Sequence, residues 1–176
     1  MPTARIVYAS THGQTEKMAG YMAGHLRAQG VDAKALDVQA AALSEQWMPS
    51  DLLIIGGSVY VRRFQRVLDA FIRQHHAALN AHPNAVFFSV SASAANAHGR
   101  DAVSALVDAY LASVDWQPRA RAHFAGAVKY PRYGRFTRWI MKRISRKEGG
   151  GVDTRFTYEY TDWDAVDALL SQNMPH

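Results

Sequence analysis

Apolar and polar positions change period repeatedly along the chain, alternating short strand-like runs with helical spacing. Arg5-Ile6-Val7-Tyr8-Ala9 is short, apolar and partly β-branched, which predicts a buried strand. Met18, Met22 and Leu26 then recur at helical spacing within residues 14–29, and Gly30 supplies a stop. A second strand is predicted at Asp32–Asp37, followed by an alanine-rich segment reaching Trp47. Asp51-Leu52-Leu53-Ile54-Ile55-Gly56-Gly57 is the strongest strand signal, a continuous apolar run ending in glycines. Phe64, Val67, Leu68, Phe71 and Ile72 predict a helix over 64–79, with His75-His76 flanking its end. Ala85–Val90 is a fourth strand, and Val103, Leu106, Val107, Tyr110 and Leu111 predict a helix over 100–113. His123–Val128 begins a fifth strand and Arg155–Tyr160 returns to strand. Thr161-Asp162-Trp163-Asp164 then resembles a capping box with Thr161 as the cap of a last helix.

Strands alternating with helices predict an α/β three-layer sandwich, a five-stranded parallel sheet covered on both faces, in one domain over 1–176. Ligands of such sheets bind beyond the carboxyl ends of the strands, where strand order reverses. Three loops therefore matter: 10–15, 57–63 and 89–99.

Composition narrows the chemistry. The 176 residues include no cysteine, which excludes disulfides, cysteine nucleophiles and thiolate-held metals or clusters. No stretch reaches the roughly 18–20 apolar residues needed to span a bilayer, and Met1-Pro2-Thr3-Ala4-Arg5 leads into the first strand without a signal-peptide pattern. A cytoplasmic protein, soluble or peripheral on a membrane, is expected. The net charge of +5 hides an asymmetry: from Arg119 to Lys147 there are ten cations and no acid, while the rest holds ten cations and fifteen acids. One segment thus carries the positive excess, and its partner is anionic.

Ser10-Thr11-His12-Gly13-Gln14-Thr15 lies between the first strand and the first helix. Three hydroxyls, a glycine and the unpaired amides of the helix start make an anion site. It lacks the lysine of a Walker loop and the glycines of a dinucleotide fingerprint, and suits a terminal monophosphate. The alternative is that Ser10 or Thr11 only caps the helix.

The loop and the strand–helix order resemble the flavodoxin-like FMN proteins. More specifically, Gly126-Ala127-Val128-Lys129-Tyr130-Pro131-Arg132-Tyr133, the basic segment to Lys147, Gly149-Gly150, Asp153-Thr154-Arg155 and Tyr160-Thr161-Asp162-Trp163 closely resemble the menaquinone-dependent protoporphyrinogen IX dehydrogenase family. The resemblance implies a flavodoxin-like fold with a basic helical insertion (129–152) in the fifth-strand region. It also implies FMN, oxidation of protoporphyrinogen IX to protoporphyrin IX in haem synthesis, and a membrane quinone, menaquinone or ubiquinone, as acceptor. Such a protein is peripheral on the cytoplasmic face of the inner membrane. Residue by residue, Ser10, Thr11, His12, Gly13, Gln14 and Thr15 are expected to hold the phosphate, His12 through its amide with its ring at the loop surface. Gly57, Ser58, Val59 and Tyr60 are expected along one edge of the flavin, with Tyr60 stacked on the ring. Ser89, Val90, Ser91 and Asn96 are expected at the other edge, though Tyr60 and Asn96 also fit ordinary packing and loop surface. Arg62 or Arg63 is expected to meet the substrate's propionates, since guanidinium grips carboxylate bidentately; a solvated helix start is the alternative.

At about 100° per residue, Tyr133, Phe136, Trp139, Ile140 and Ile144 gather on one side of a helix over 133–147. Arg135, Arg138, Lys142 and Arg146 gather opposite, so Arg135, Phe136, Trp139 and Lys142 are candidates for membrane or substrate contact. This pattern suits a helix in an anionic membrane interface, each cation contributing about 1 kcal/mol. Packing on the sheet or a homo-oligomer contact would use the same residues, and no nucleic-acid module accompanies the charge. No acid–base residue or metal site stands out. An NAD(P)H:quinone reductase and a flavodoxin-type electron carrier remain the competing functions; the basic insertion argues against the carrier.

Overall fold

In a computed structural model of the chain, the described residues are 1–44, 46–95, 97–129, 142–143, 145–146, 153, 155 and 157–175. β1 (Thr3–Ala9) pairs in parallel with β2 (Asp32–Asp37) on one side and with β3 (Leu52–Ser58) on the other. β4 (Ala85–Ser91) and β5 (Ala120–Ala125) extend the sheet beyond β3, giving the order β2-β1-β3-β4-β5, all parallel. The chain moves outward from β1 to β2 and then crosses to β3, so the order reverses between β1 and β3. A crevice is expected at the carboxyl ends of these two strands.

Side chains of a strand point alternately to the two faces, and β3 shows why its apolar run is unbroken. Leu52 and Ile54 pack with α1 (Gln14–Ala28), through Met18, Met22 and Leu26. Leu53 and Ile55 pack on the other face with Leu68, Phe71 and Ile72 of α3 (Arg66–Ala81). α2 (Val38–Ser44) and α4 (Ala97–Ser113) join α3 on that face, and α5 (Trp163–Gln172) joins α1. All four β3 side chains are at most 1% exposed, each contributing about 1.5–3 kcal/mol through burial.

Several boundaries differ from the sequence expectation. β5 starts at Ala120 and ends at Ala125; the Gly126 amide still donates to the Ser91 carbonyl (3.0 Å), and beyond it the chain leaves the main sheet. Ala127–Lys129 forms β6, which pairs antiparallel with β7 (Thr157–Glu159) as a separate two-stranded ribbon. The strand expected at 155–160 therefore belongs to this ribbon rather than to the main sheet. Of the loop expected at 89–99, the first three residues finish β4, Ala92–Ala95 form a 3-10 turn, and α4 starts at Ala97, in keeping with the high helix propensity of the alanines. His75 lies within α3, its ring 4.9 Å from that of Trp47 and 4.8 Å from that of Phe71. The cap of α5 is Asp162, whose Oδ1 accepts from the Ala165 amide at 3.1 Å, and Thr161 instead donates to the Ala125 carbonyl. Asn96, and Arg135, Phe136 and Trp139 of the expected basic helix, lie outside the described residues. Lys142-Arg143 and Ser145-Arg146 are helical.

Candidate cofactor site

The β1–α1 loop reaches its shape through Ser10 and Gly13. Ser10 Oγ accepts the Gly13 amide at 2.9 Å, and Gly13 adopts φ +82°, a left-handed conformation that a side chain would resist. Gly13 is then the N-cap of α1, and no side chain caps the helix. Neither Ser10 nor Thr11 is the cap, so the orphan amides of the first turn stay available to an anion.

Thr15 sharpens the case. It is completely buried, and its hydroxyl has no hydrogen-bond partner among the described residues. A buried hydroxyl without a partner costs about 1–3 kcal/mol. Beside a helix N-terminus with free amides, a phosphate oxygen satisfies that hydroxyl and the amides together. The loop therefore fits a phosphate monoester.

Thr11 takes a different part. Its amide donates to Ser58 Oγ (3.3 Å), its Oγ1 lies 3.0 Å from the same oxygen, and Gln65 Nε2 donates to it at 2.7 Å. Thr11 thus joins the phosphate loop to the end of β3 and the cap of α3. His12 is half-buried, with its ring edge-on to Tyr60, correcting the expectation of a surface ring. Gln14 turns away from the loop, donating from Nε2 to Thr161 Oγ1 (3.0 Å) and Glu159 Oε1 (3.2 Å). Gln65 and Glu159 escaped the sequence reading. They stand 54 and 145 residues from their loop partners, and no local pattern marks them.

Beyond β3, Val59 donates its amide to the Val90 carbonyl at 2.8 Å, which binds the loop to β4. Tyr60 and Arg63 exchange both amide–carbonyl bonds (2.9 and 3.0 Å), and Val61 and Arg62 between them have φ of +47° and +59°. This is a type I′ turn without glycine. A β-branched residue at positive φ is an outlier, at about 1–3 kcal/mol. The turn presents Arg62 and Arg63 to solvent, and neither has an ion-pair partner among the described residues. They belong to this turn, not to a helix start.

Gly57 lies inside β3, where a Cβ would meet Leu68 Cδ2 at 2.5 Å and Phe64 Cδ1 at 2.9 Å. Its missing side chain lets α3 close on the sheet. Ser89 and Val90 lie in β4, as the predicted strand Ala85–Val90 has them, and Ser91, expected only in the loop 89–99, is its last residue. Ser89 is fully buried, with its hydroxyl 2.9 Å from His123 Nδ1 on β5, so it lies within the sheet and below the loop surface expected for it. Ser91 ends β4 and is 6% exposed. Burial pushes the His123 imidazole below its ordinary range, with Asp108 opposing and Arg121 reinforcing.

Lys142 is half-buried and close enough to Asp153 to act on it. Hydrogen bonds from Arg155 hold the Asp153 carboxyl down to about 2, and the charges of Arg155 and Lys142 add to the pull. Among the described residues, no helix is long and apolar enough to cross a membrane, and no group of three or more histidines and carboxylates is placed to hold a metal.

A parallel sheet of this order, with an anion loop at its reversal point, has relatives in both comparisons. Residues 5–155 match the flavodoxin domain family. The chain is 32% identical to the protoporphyrinogen IX dehydrogenase [quinone] of Escherichia coli K12 over 172 residues, covering 97% of this chain and 93% of that protein. This chain belongs to that family. A protein of the same name from Leishmania major is 30% identical over 177 residues, covering 97% of this chain and 74% of its own length. Among solved structures, the Streptococcus pneumoniae TIGR4 flavodoxin superposes with a TM-score of 0.51 at 21% identity, over 69% of this chain and 82% of its own. That likeness establishes the flavodoxin-like fold alone. Membership of the flavodoxin domain family implies FMN as the cofactor, and the phosphate loop supports it with an unsatisfied buried hydroxyl.

Proposed function

We propose that the protein is an FMN-dependent oxidoreductase that converts protoporphyrinogen IX to protoporphyrin IX and delivers the electrons to a membrane quinone. The observation that carries this reading is the family match over 97% of the chain, which reaches past the flavodoxin core into the segment after Gly126. FMN, when bound, supplies the redox chemistry by taking electrons from the porphyrinogen and yielding them to the quinone. The protein's own residues supply position and electrostatics.

Ser10 and Gly13 shape the loop, Thr15 and the first amides of α1 hold the phosphate, and Thr11 fixes the loop against Ser58 and Gln65. Tyr60, set beside His12, would be the aromatic ring facing the isoalloxazine on the β3 side, and Ser91 would be the polar group on the β4 side. Arg62 and Arg63 stand on a strained turn at the rim, without an ion-pair partner among the described residues. Guanidinium groups held outward there are suited to the carboxylates of the substrate. The basic segment around Lys142, with Arg135, Phe136 and Trp139, is the proposed contact with the anionic membrane surface that stores the quinone. On this reading the protein sits peripherally on the cytoplasmic face.

The test is quinone-dependent formation of protoporphyrin IX by protein reconstituted with FMN. Porphyrin fluorescence should rise only when protoporphyrinogen, FMN and quinone are all present. Turnover of NAD(P)H with no turnover of porphyrinogen would replace this reading by a quinone reductase.

A further inference from the structure

Gln14 is the first residue of α1 and is 5% exposed. A buried side-chain amide has to find partners, and Gln14 finds them at a distance, on the strand that follows the basic segment. Its Nε2 donates to Glu159 Oε1 at 3.2 Å and to Thr161 Oγ1 at 3.0 Å. Thr161 in turn donates to the Ala125 carbonyl at 3.0 Å, at the end of β5. The Tyr160 amide donates to the Gly126 carbonyl at 3.1 Å. The first turn of the phosphate-binding helix is thus held by a second element, which is itself anchored to the sheet.

Glu159 also receives Lys17, whose Nζ lies 3.0 and 2.8 Å from its two oxygens. That ion pair is half in solvent, with side chains 52% and 35% exposed, and such pairs contribute little. The bond to the buried Gln14 weighs more. The phosphate loop needs this support. Within the loop Ser10 Oγ accepts the Gly13 amide, and α1 has no side-chain cap.

We propose that Glu159 is a positioning residue for the phosphate loop, acting through its hydrogen bond to Gln14. It fixes the direction in which the first amides of α1 and the Thr15 hydroxyl face the phosphate. The proposal rests on the FMN reading above. It concerns the phosphate end of the cofactor only, so FMN and riboflavin, which lacks the phosphate, must respond differently.

The experiment is a fluorescence titration of the full-length apoprotein with FMN and with riboflavin, for wild type, Glu159→Ala, Glu159→Gln, Gln14→Ala and the double variant Gln14→Ala/Glu159→Ala. Glu159→Ala is expected to weaken FMN roughly five- to ten-fold, the loss associated with one buried hydrogen bond, and to leave riboflavin within about two-fold. Glu159→Gln keeps an acceptor for Gln14 and should retain FMN affinity within about two-fold of wild type. In the Gln14→Ala background, Glu159→Ala should cost nothing further, because both changes remove the same interaction.

Equal weakening of both ligands by Glu159→Ala overturns the proposal, since general destabilisation of the β6–β7 ribbon does not discriminate between them. So does unchanged or tightened FMN binding in Glu159→Ala, a loss in Glu159→Gln as large as in Glu159→Ala, or additive losses in the double variant. Wild-type protein that takes up neither flavin overturns the cofactor reading itself, and the proposal with it.

Discussion

The ring of His12 stands edge-on to the ring of Tyr60, with centroids 5.4 Å apart and planes at 71°. One residue belongs to the phosphate loop and the other to the turn after β3, so this contact joins the two walls of the crevice at the strand-order reversal. Edge-to-face aromatic pairs contribute about 0.5–1.5 kcal/mol beyond their burial. In a double-mutant cycle of His12→Ala and Tyr60→Ala, urea unfolding should show a coupling of that size. Tyr60→Ala should also weaken FMN and riboflavin alike, because the ring it is proposed to contact is common to both. A coupling of zero would mean that the two walls are set independently.

Thr15 offers a prediction whose two halves have opposite signs. Thr15→Val keeps the shape and removes a buried hydroxyl that has no partner among the described residues. The apoprotein should become more stable by about 1 kcal/mol in urea unfolding, because an unsatisfied polar group leaves the interior. FMN affinity should fall roughly five- to ten-fold in the same variant, because the phosphate loses a donor. A loss of stability together with unchanged FMN binding would show that Thr15 is purely structural.

Much of the scaffold was legible in the residues because burial imposes a pattern. The run Leu52–Ile55 is apolar at every position because β3 is covered on both faces, and its neighbours β1 and β4 follow the same logic. The β1–α1 loop was legible as a candidate anion site for a local reason as well, since its hydroxyls and glycine stand directly before a helix. The loops that close over it were not. Val61 and Arg62 occupy a turn that ordinarily demands Gly or Asn, so no turn signal marked it. The partners of Thr11 and Gln14 lie 47 to 147 residues away, beyond any local spacing rule. Ser89 was read both in the fourth strand and at the start of the loop 89–99, and the facing His123, which satisfies its hydroxyl inside the sheet, settles it as a strand residue.

His123 carries a pH dependence. Its imidazole titrates below 6.5 in the folded protein, chiefly through burial. The unfolded chain therefore binds a proton that the folded chain refuses, and stability must fall as pH drops below about 6.5. His123→Gln removes the titrating group and keeps a hydrogen-bonding side chain beside Ser89. Urea midpoints measured at successive pH values from neutral to mildly acidic should fall more steeply for wild type than for the variant. Parallel curves would contradict this assignment.

Arg62 and Arg63 test the rim. Charge reversal of both should raise the KM for protoporphyrinogen IX roughly ten-fold or more, given that a charge-assisted hydrogen bond contributes about 1.5–3 kcal/mol. The affinity for FMN should stay as in wild type. Substrate affinity that does not change on charge reversal would remove the arginines from the substrate contact.

The central claim is that the crevice between β1 and β3 holds FMN for a porphyrinogen donor. Anaerobic stopped-flow mixing of FMN-loaded protein with protoporphyrinogen IX tests it most directly. The account predicts rapid bleaching of the flavin absorbance, with recovery when a quinone is added. No bleaching with porphyrinogen, but rapid bleaching with NAD(P)H, would contradict it.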